Sequence, residues 1–173
     1  MGPRFLFLAI IANVLLMFAA GEGEVNMVFY LHDNLTGTNV TAVPVAGLNG
    51  SSSNAGKFGT VVTISDVITR RPEISESDSD NIIGRAQGMY VDTNPVTGLD
   101  FLMVFTLIFE DKKYRGSTLE FQGTDRFAQP RREFAVVGGT GKFRFARGYA
   151  VANTESLSGV NAIIKFNGTI RTD

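Results

Sequence analysis

Val136-Val-Gly-Gly-Thr-Gly-Lys-Phe-Arg-Phe-Ala-Arg-Gly148 is the stretch on which the fold turns. Its first half reads like a strand entering a glycine-rich phosphate cradle, the opening of a dinucleotide-binding βαβ unit. The spacing fails at the third glycine, because Arg144 stands where helix and strand must approach most closely. The second half has the wrong period for a helix: Phe143, Phe145, Arg147, Tyr149 and Val151 alternate with Arg144, Ala146, Gly148 and Ala150. Alternation at every second residue marks a strand. The run predicts strand, tight turn, strand, and no nucleotide site.

The rest of the chain fits that reading. Its 173 residues allow one domain with a core of its own. Nineteen glycines, 14 phenylalanines and few runs of helix formers favour short strands joined by glycine turns. A net charge of -1 gives no pull toward nucleic acid. The absence of cysteine excludes a disulfide framework and a thiol nucleophile.

Residues 1–21 read as a signal segment: Arg4, an apolar run over 5–18, then Ala19-Ala20-Gly21 for cleavage. That run is shorter than the roughly 20 residues of a membrane span. The expected product is a secreted, extracellular domain of residues 22–173 with no membrane anchor. Asn34, Asn39, Asn49 and Asn167 each head an Asn-X-Ser/Thr acceptor tripeptide, which agrees with a secreted glycoprotein.

Strands are expected over residues 25–32, 58–68, 82–91, 99–109, 114–122, 134–137, 142–151 and 161–170, with a short one near 40–45. Gly84 and Gly88 predict bending or close backbone packing in one of them. Residues 99–109 form an unbroken apolar run, so both faces are expected to be buried, one of them by another subunit. Leu119 and Phe121 point inward, as do Ile164, Phe166 and Ile170. Eight or so antiparallel strands without helices predict a closed β-barrel, which removes exposed edges. An eight-stranded barrel is just wide enough to hold one small ligand, so an all-β fold with a central ligand cavity is expected.

Little in the chain announces chemistry. His32 is the only histidine, which excludes a multi-histidine metal site; it reads as a structural hydrogen-bonding residue. The acids Glu73, Glu76, Asp78 and Asp80 lack the spacing of a calcium loop. Lys57 and Lys142 come directly after glycines but precede phenylalanine, where a P-loop needs Ser or Thr. No cofactor or metal is implied. There remain charged residues at strand ends beside apolar runs: Asp33, Arg85, Asp125, Arg132, Glu133, Arg144 and Arg147. An acid among them facing an apolar cavity would have a raised pKa and could move a proton near neutrality.

Several segments together resemble the plant dirigent family: Val28-Phe-Tyr-Leu-His-Asp33, Phe58-Gly-Thr-Val, Gly84-Arg-Ala-Gln-Gly-Met-Tyr90, Gly116-Ser-Thr-Leu119, Gly123-Thr-Asp125, Arg132-Glu133 and residues 136–148. The resemblance covers the whole mature chain, in order. It implies an eight-stranded antiparallel barrel, a homotrimer, residence in the plant apoplast and cell wall, and no redox centre. By that resemblance a separate laccase or peroxidase makes phenoxy radicals from monolignols, and the barrel steers their stereoselective coupling in lignan or related phenylpropanoid biosynthesis. Alternatives are a quinone-methide cyclase or dehydratase acting on a phenolic precursor, and a non-catalytic phenolic carrier. The resemblance assigns Asp33, Asp125 and Arg132 to catalysis, and Tyr90, Phe105, Phe121 and Phe134 to the cavity lining. Two departures, no cysteine and Asn34-Leu-Thr-Gly37 after Asp33, place the chain outside the pinoresinol-forming branch.

Overall fold

Glycine-punctuated alternation becomes nine strands in the computed structural model, which describes residues 23–47, 55–74 and 79–172. They are β1 (Gly23–Asp33), β2 (Ala42–Ala46), β3 (Val61–Thr69), β4 (Ile82–Asp92), β5 (Asp100–Phe109), β6 (Thr118–Arg126), β7 (Arg132–Thr140), β8 (Arg147–Ser158) and β9 (Asn161–Thr172). The sheet runs β1-β9-β8-β7-β6-β5-β4-β3, and β1 pairs back onto β3, closing an eight-stranded antiparallel barrel. That closing seam is short, with Tyr30, Leu31 and His32 opposite Thr69, Ile68 and Val67. Because β1 ends at Asp33, the first half of β3 would be left as an open edge. β2 covers it by pairing along Val61–Ile64. The signal segment and Asn49 lie outside the described residues.

Inward positions recur at every second residue, and phenylalanine dominates them. Phe29 stacks on Phe166 at 5.0 Å, Phe105 stacks on Phe121 at 4.9 Å, and Phe134 leans on Phe166 at 5.3 Å. All five are buried, and each contributes on the order of 1.5–3 kcal/mol relative to exposure. Gly88 lets β4 press against β5, since a Cβ there would sit 2.1 Å from the Val104 carbonyl oxygen. Gly84 does the same 1.9 Å from that of Ile108. The expected close packing at both glycines is present.

One expectation is corrected, and a second is narrowed to what one chain shows. Residues 142–146 are not part of a strand: β7 continues to Thr140, Gly141–Phe143 forms a single 3-10 turn, and β8 begins at Arg147. Phe143 and Phe145, expected on one face, are 1% and 68% exposed. The turn starts at Gly141 with φ +61°, where a Cβ would lie 2.5 Å from Ser117 Oγ. That reversal folds Phe143 back over the barrel end, against Phe109 at 5.1 Å and Tyr114 at 4.8 Å. The second concerns β5, expected to be buried on both faces with one face against another subunit. Its residues do alternate: Met103, Phe105, Leu107 and Phe109 are buried, while Leu102 is exposed and Val104 and Ile108 are half-buried. Within one chain, the outward row of this strand has no cover.

Candidate active site

The barrel end opposite Phe143 holds a cavity of about 270 Å³, near the lower end of the range for ligand pockets. Its walls are mostly apolar, from Leu35, Phe101, Met103, Phe127, Leu157 and Ile164. Three polar side chains face into it: Asp33, Tyr90 and Asp125. Asp33 is the last residue of β1 and Asp125 lies one residue from the end of β6, so both sit where the strands reach the open rim. The segment after Asp33 is pinned to β9 by Asn161. Its Oδ1 accepts from the backbone N–H groups of Leu35 (2.9 Å) and Thr36 (3.0 Å). Tyr90 is held edge-on by the Phe101 ring at 5.4 Å. At the mouth, Gly98 with φ +66° packs directly on the Gly56 carbonyl oxygen, bringing Leu99 beside the 55–56 segment.

The three polar groups differ in their partners. Asp125 accepts a 2.8 Å charge-assisted hydrogen bond from Arg132 Nε. Arg132 is itself buried, donates to Thr154 Oγ1 at 2.9 Å, and lies 5.4 Å from the Phe127 ring. Burial pushes the Asp125 carboxyl up, and the guanidinium opposes this by charge and hydrogen bond. Among the described residues, Asp33 has no cation in contact. Burial is the main cause of its rise to about 7; the Tyr90 hydrogen bond lowers it, and the Asp125 charge raises it. Burial and then the charges of Asp33 and Asp66 push the Tyr90 hydroxyl up, so it stays a neutral donor. The cavity thus pairs one carboxyl poised near neutrality with one carboxylate neutralised by arginine. Among the described residues, no three His, Asp or Glu side chains gather as a metal site.

Residues 24–171 match the family model described as dirigent-like protein. This chain belongs to the dirigent family. It is 37% identical to Dirigent protein 11 of Arabidopsis thaliana over 139 residues, covering 80% of this chain and 69% of that protein. It is 44% identical to Pterocarpan synthase 1 of Glycyrrhiza echinata over 130 residues, covering 75% of this chain and 66% of that one. A solved pterocarpan synthase dirigent protein superposes with a TM-score of 0.75 at 36% identity, covering 87% of this chain and 88% of that structure.

Within this dirigent barrel the expected residues fall in two places. Asp33, Tyr90 and Asp125 meet at the cavity, and Arg132 stands behind Asp125 outside the lining. Phe105, Phe121 and Phe134 do not line the cavity. Phe105 and Phe134 sit two residues farther down their strands than Met103 and Arg132, and Phe121 four farther than Asp125; all three pack in the aromatic core. His32 is buried with Nε2 2.8 Å from Thr69 Oγ1, and burial lowers its pKa. Asn39 and Asn167 are exposed and Asn34 is half-buried. Sequence reasoning missed the Asn161 clamp, the Phe101 and Phe127 walls, and Asp66, a fully buried acid on β3. Asp66 had a signal: it occupies the inward register of a strand whose other inward residues are Val62, Ile64 and Ile68.

Proposed function

We propose that this dirigent-family barrel binds a phenolic benzylic alcohol and drives its dehydration to a quinone methide, with subsequent ring closure on one face. The observation that carries this reading is Asp33, an acid titrating at about 7 on the wall of an apolar cavity. Below that pH it holds a proton within reach of a bound substrate, which is what a general acid requires. Asp33 protonates the benzylic hydroxyl, the C–O bond breaks, and water leaves. The phenolic proton passes to the Asp125 carboxylate, whose charge Arg132 balances. A second hydroxyl of the substrate then attacks the methide carbon, its proton returns to Asp33, and the quinone oxygen recovers the proton from Asp125. Tyr90, neutral and fixed against Phe101, donates its hydroxyl to Asp33 and holds that carboxyl at the cavity wall. One water is lost, and the sequence involves no net oxidation or reduction. Holding the chain of the substrate in one folded pose accounts for the hand of the product. Similarity to pterocarpan synthases supports a cyclisation of this class.

The test is a benzylic alcohol carrying a conjugated phenol and a second phenol placed for ring closure, incubated without oxidase and analysed on a chiral column. Enantiomerically enriched cyclic ether is expected. Racemic product at the buffer rate overturns the reading.

Radical coupling is the second reading, favoured by the presence of two acids, Asp33 and Asp125, on one cavity. Coupled monolignol radicals give a bis-quinone methide with two oxygens to protonate. Here a separate laccase or peroxidase supplies the radicals. Coniferyl alcohol with oxidase alone gives racemic dimer, and enrichment on adding this protein supports coupling. We further propose secretion into the plant cell wall space as an N-glycosylated homotrimer. The accessible acceptors Asn34, Asn39 and Asn167 and the uncovered outward row of β5 support this.

A further inference from the structure

Asp66 lies in the barrel wall behind Asp33, fully buried and outside the cavity lining. On β3 it belongs to the inward row with Ile64 and Ile68; on β1, Asp33 belongs to the inward row with Phe29 and Leu31. The last paired residues of the two strands are His32 and Val67. Asp33 and Asp66 therefore occupy the next step of the antiparallel ladder. Opposed side chains on one face of such a ladder start from Cβ atoms roughly 4.5–5.5 Å apart.

Asp33 Oδ1 and both Asp66 oxygens meet no donor among the described residues. The neighbouring groups are engaged elsewhere. Thr41 on the segment before β2 is the nearest hydrogen-bonding side chain to Asp66 and lowers it, but its one hydroxyl hydrogen is shared with the His32 carbonyl oxygen, to which it donates at 3.2 Å. His32 on β1 pairs with Thr69. Arg85 on β4 directs Nη1 at the Ser65 carbonyl oxygen, 2.9 Å away, and acts on Asp66 only through its charge. Tyr90 on β4 faces Asp33, and Asp125 on β6 is matched by Arg132. Two carboxyls side by side without a cation do not both ionise. A proton on one is the donor that the other lacks.

We propose that Asp66 is a positioning residue for the reaction: a buried carboxylic acid that donates a hydrogen bond to Asp33 and stabilises the carboxylate left when Asp33 gives its proton to the substrate. This rests on the reading of Asp33 as the acid. Asp66 keeps its own proton throughout; the proton lost from Asp33 leaves in water, and the attacking hydroxyl restores it. Burial, and then the Asp33 charge, hold Asp66 up at about 9, so it remains an acid after Asp33 has titrated.

The experiment is a carboxyl-carbon NMR titration of the folded domain, with no ligand, on wild type, Asp66→Asn and Asp66→Leu. The amide of Asp66→Asn still donates, so the Asp33 midpoint should stay within about half a unit. Asp66→Leu removes the donor and should raise that midpoint by about one unit or more, a tenfold change in proton affinity. Asp33→Asn should lower the Asp66 midpoint. An Asp33 midpoint unchanged in Asp66→Leu overturns the proposal, and so does loss of the Asp33 shift in a variant that melts like wild type. With the benzylic alcohol probe, Asp66→Leu should lower kcat about tenfold with KM unchanged, and Asp66→Asn should restore it. Absence of turnover in wild type would remove the cyclisation reading and leave the titration result standing.

Discussion

The two ends of the barrel are built from the same strands and do opposite things. At one end Phe109, Tyr114 and Phe143 pack ring on ring and fill the space. The Lys142 ammonium latches that cap by donating to the Lys113 carbonyl oxygen at 2.6 Å. At the other end Asp33, Tyr90 and Asp125 face a void beside Ala162 and Gly159. The difference lies in what the connections carry. Tyr114 between β5 and β6 and Phe143 in the 3-10 turn between β7 and β8 fold large rings onto Phe109. The β8–β9 connection at the other end brings Gly159 and Val160. Large rings close an end and confer stability; small residues and acids open it, and each buried acid then needs a partner or a proton. Stability and chemistry are therefore expected to separate along the barrel axis.

The largest test of that separation is Arg132→Ala. Removing the guanidinium leaves Asp125 buried and uncompensated, and should cost about 3–5 kcal/mol in denaturant unfolding. The loss should shrink on acidification, as Asp125 takes up a proton; a loss independent of pH would mean that packing alone was removed. Phe143→Ala, at the closed end, should cost about 3 kcal/mol or more through the cavity it leaves. Its kcat per folded molecule should be unchanged, and a large drop would break the division between the ends. Asp33→Asn should keep the melting temperature near wild type while lowering turnover of the benzylic alcohol about 100-fold or more. In wild type that turnover should fall as pH rises through about 7.

Stability should also depend on pH through the open end. Asp33 and Asp66 titrate at about 7 and about 9 when folded, against an ordinary aspartate value of 3.8. The folded chain then binds protons that the unfolded chain has lost. Their contribution is full below about pH 4 and is lost as pH rises through about 7 and then about 9. Asp66→Asn should flatten the upper part of this decline in melting scans across pH. The smallest effect is expected from Lys113→Ala, which removes a cation 4.7 Å from the Tyr114 ring at an exposed site, worth about 0.5–1 kcal/mol.

Legibility in the sequence varied along the same axis. Strands with regular alternation were readable, and so were the close-packing glycines of β4. The turn at Gly141 was not, because residues 142–146 carry a period of two that the chain does not use. There the requirement to close the barrel end overrode local pattern, and Gly141 supplied the reversal. Asp33, Asp125 and Arg132 stood out as charges beside apolar runs, and the resemblance gave them roles. Phe105, Phe121 and Phe134 were equally inward-facing, but inwardness does not say how far along the axis a side chain sits. Depth depends on strand stagger, which is a property of the closed sheet.

By itself, the sequence determined a helix-poor, glycine-jointed β chain of the dirigent family. Period, turn residues and motif order are all local information. Only the tertiary structure decided which inward residues meet. Among the described residues it set Asp125 against Arg132, left Asp33 beside Tyr90 without a cation in contact, and placed Asp66 opposite Asp33 on the next rung of the ladder. The physical reason is that proton affinity in a barrel depends on burial and on neighbours from other strands. Asp125 and Arg132 are seven positions apart on neighbouring strands, but Asp33 meets Asp66, 33 positions away, only when β1 closes onto β3.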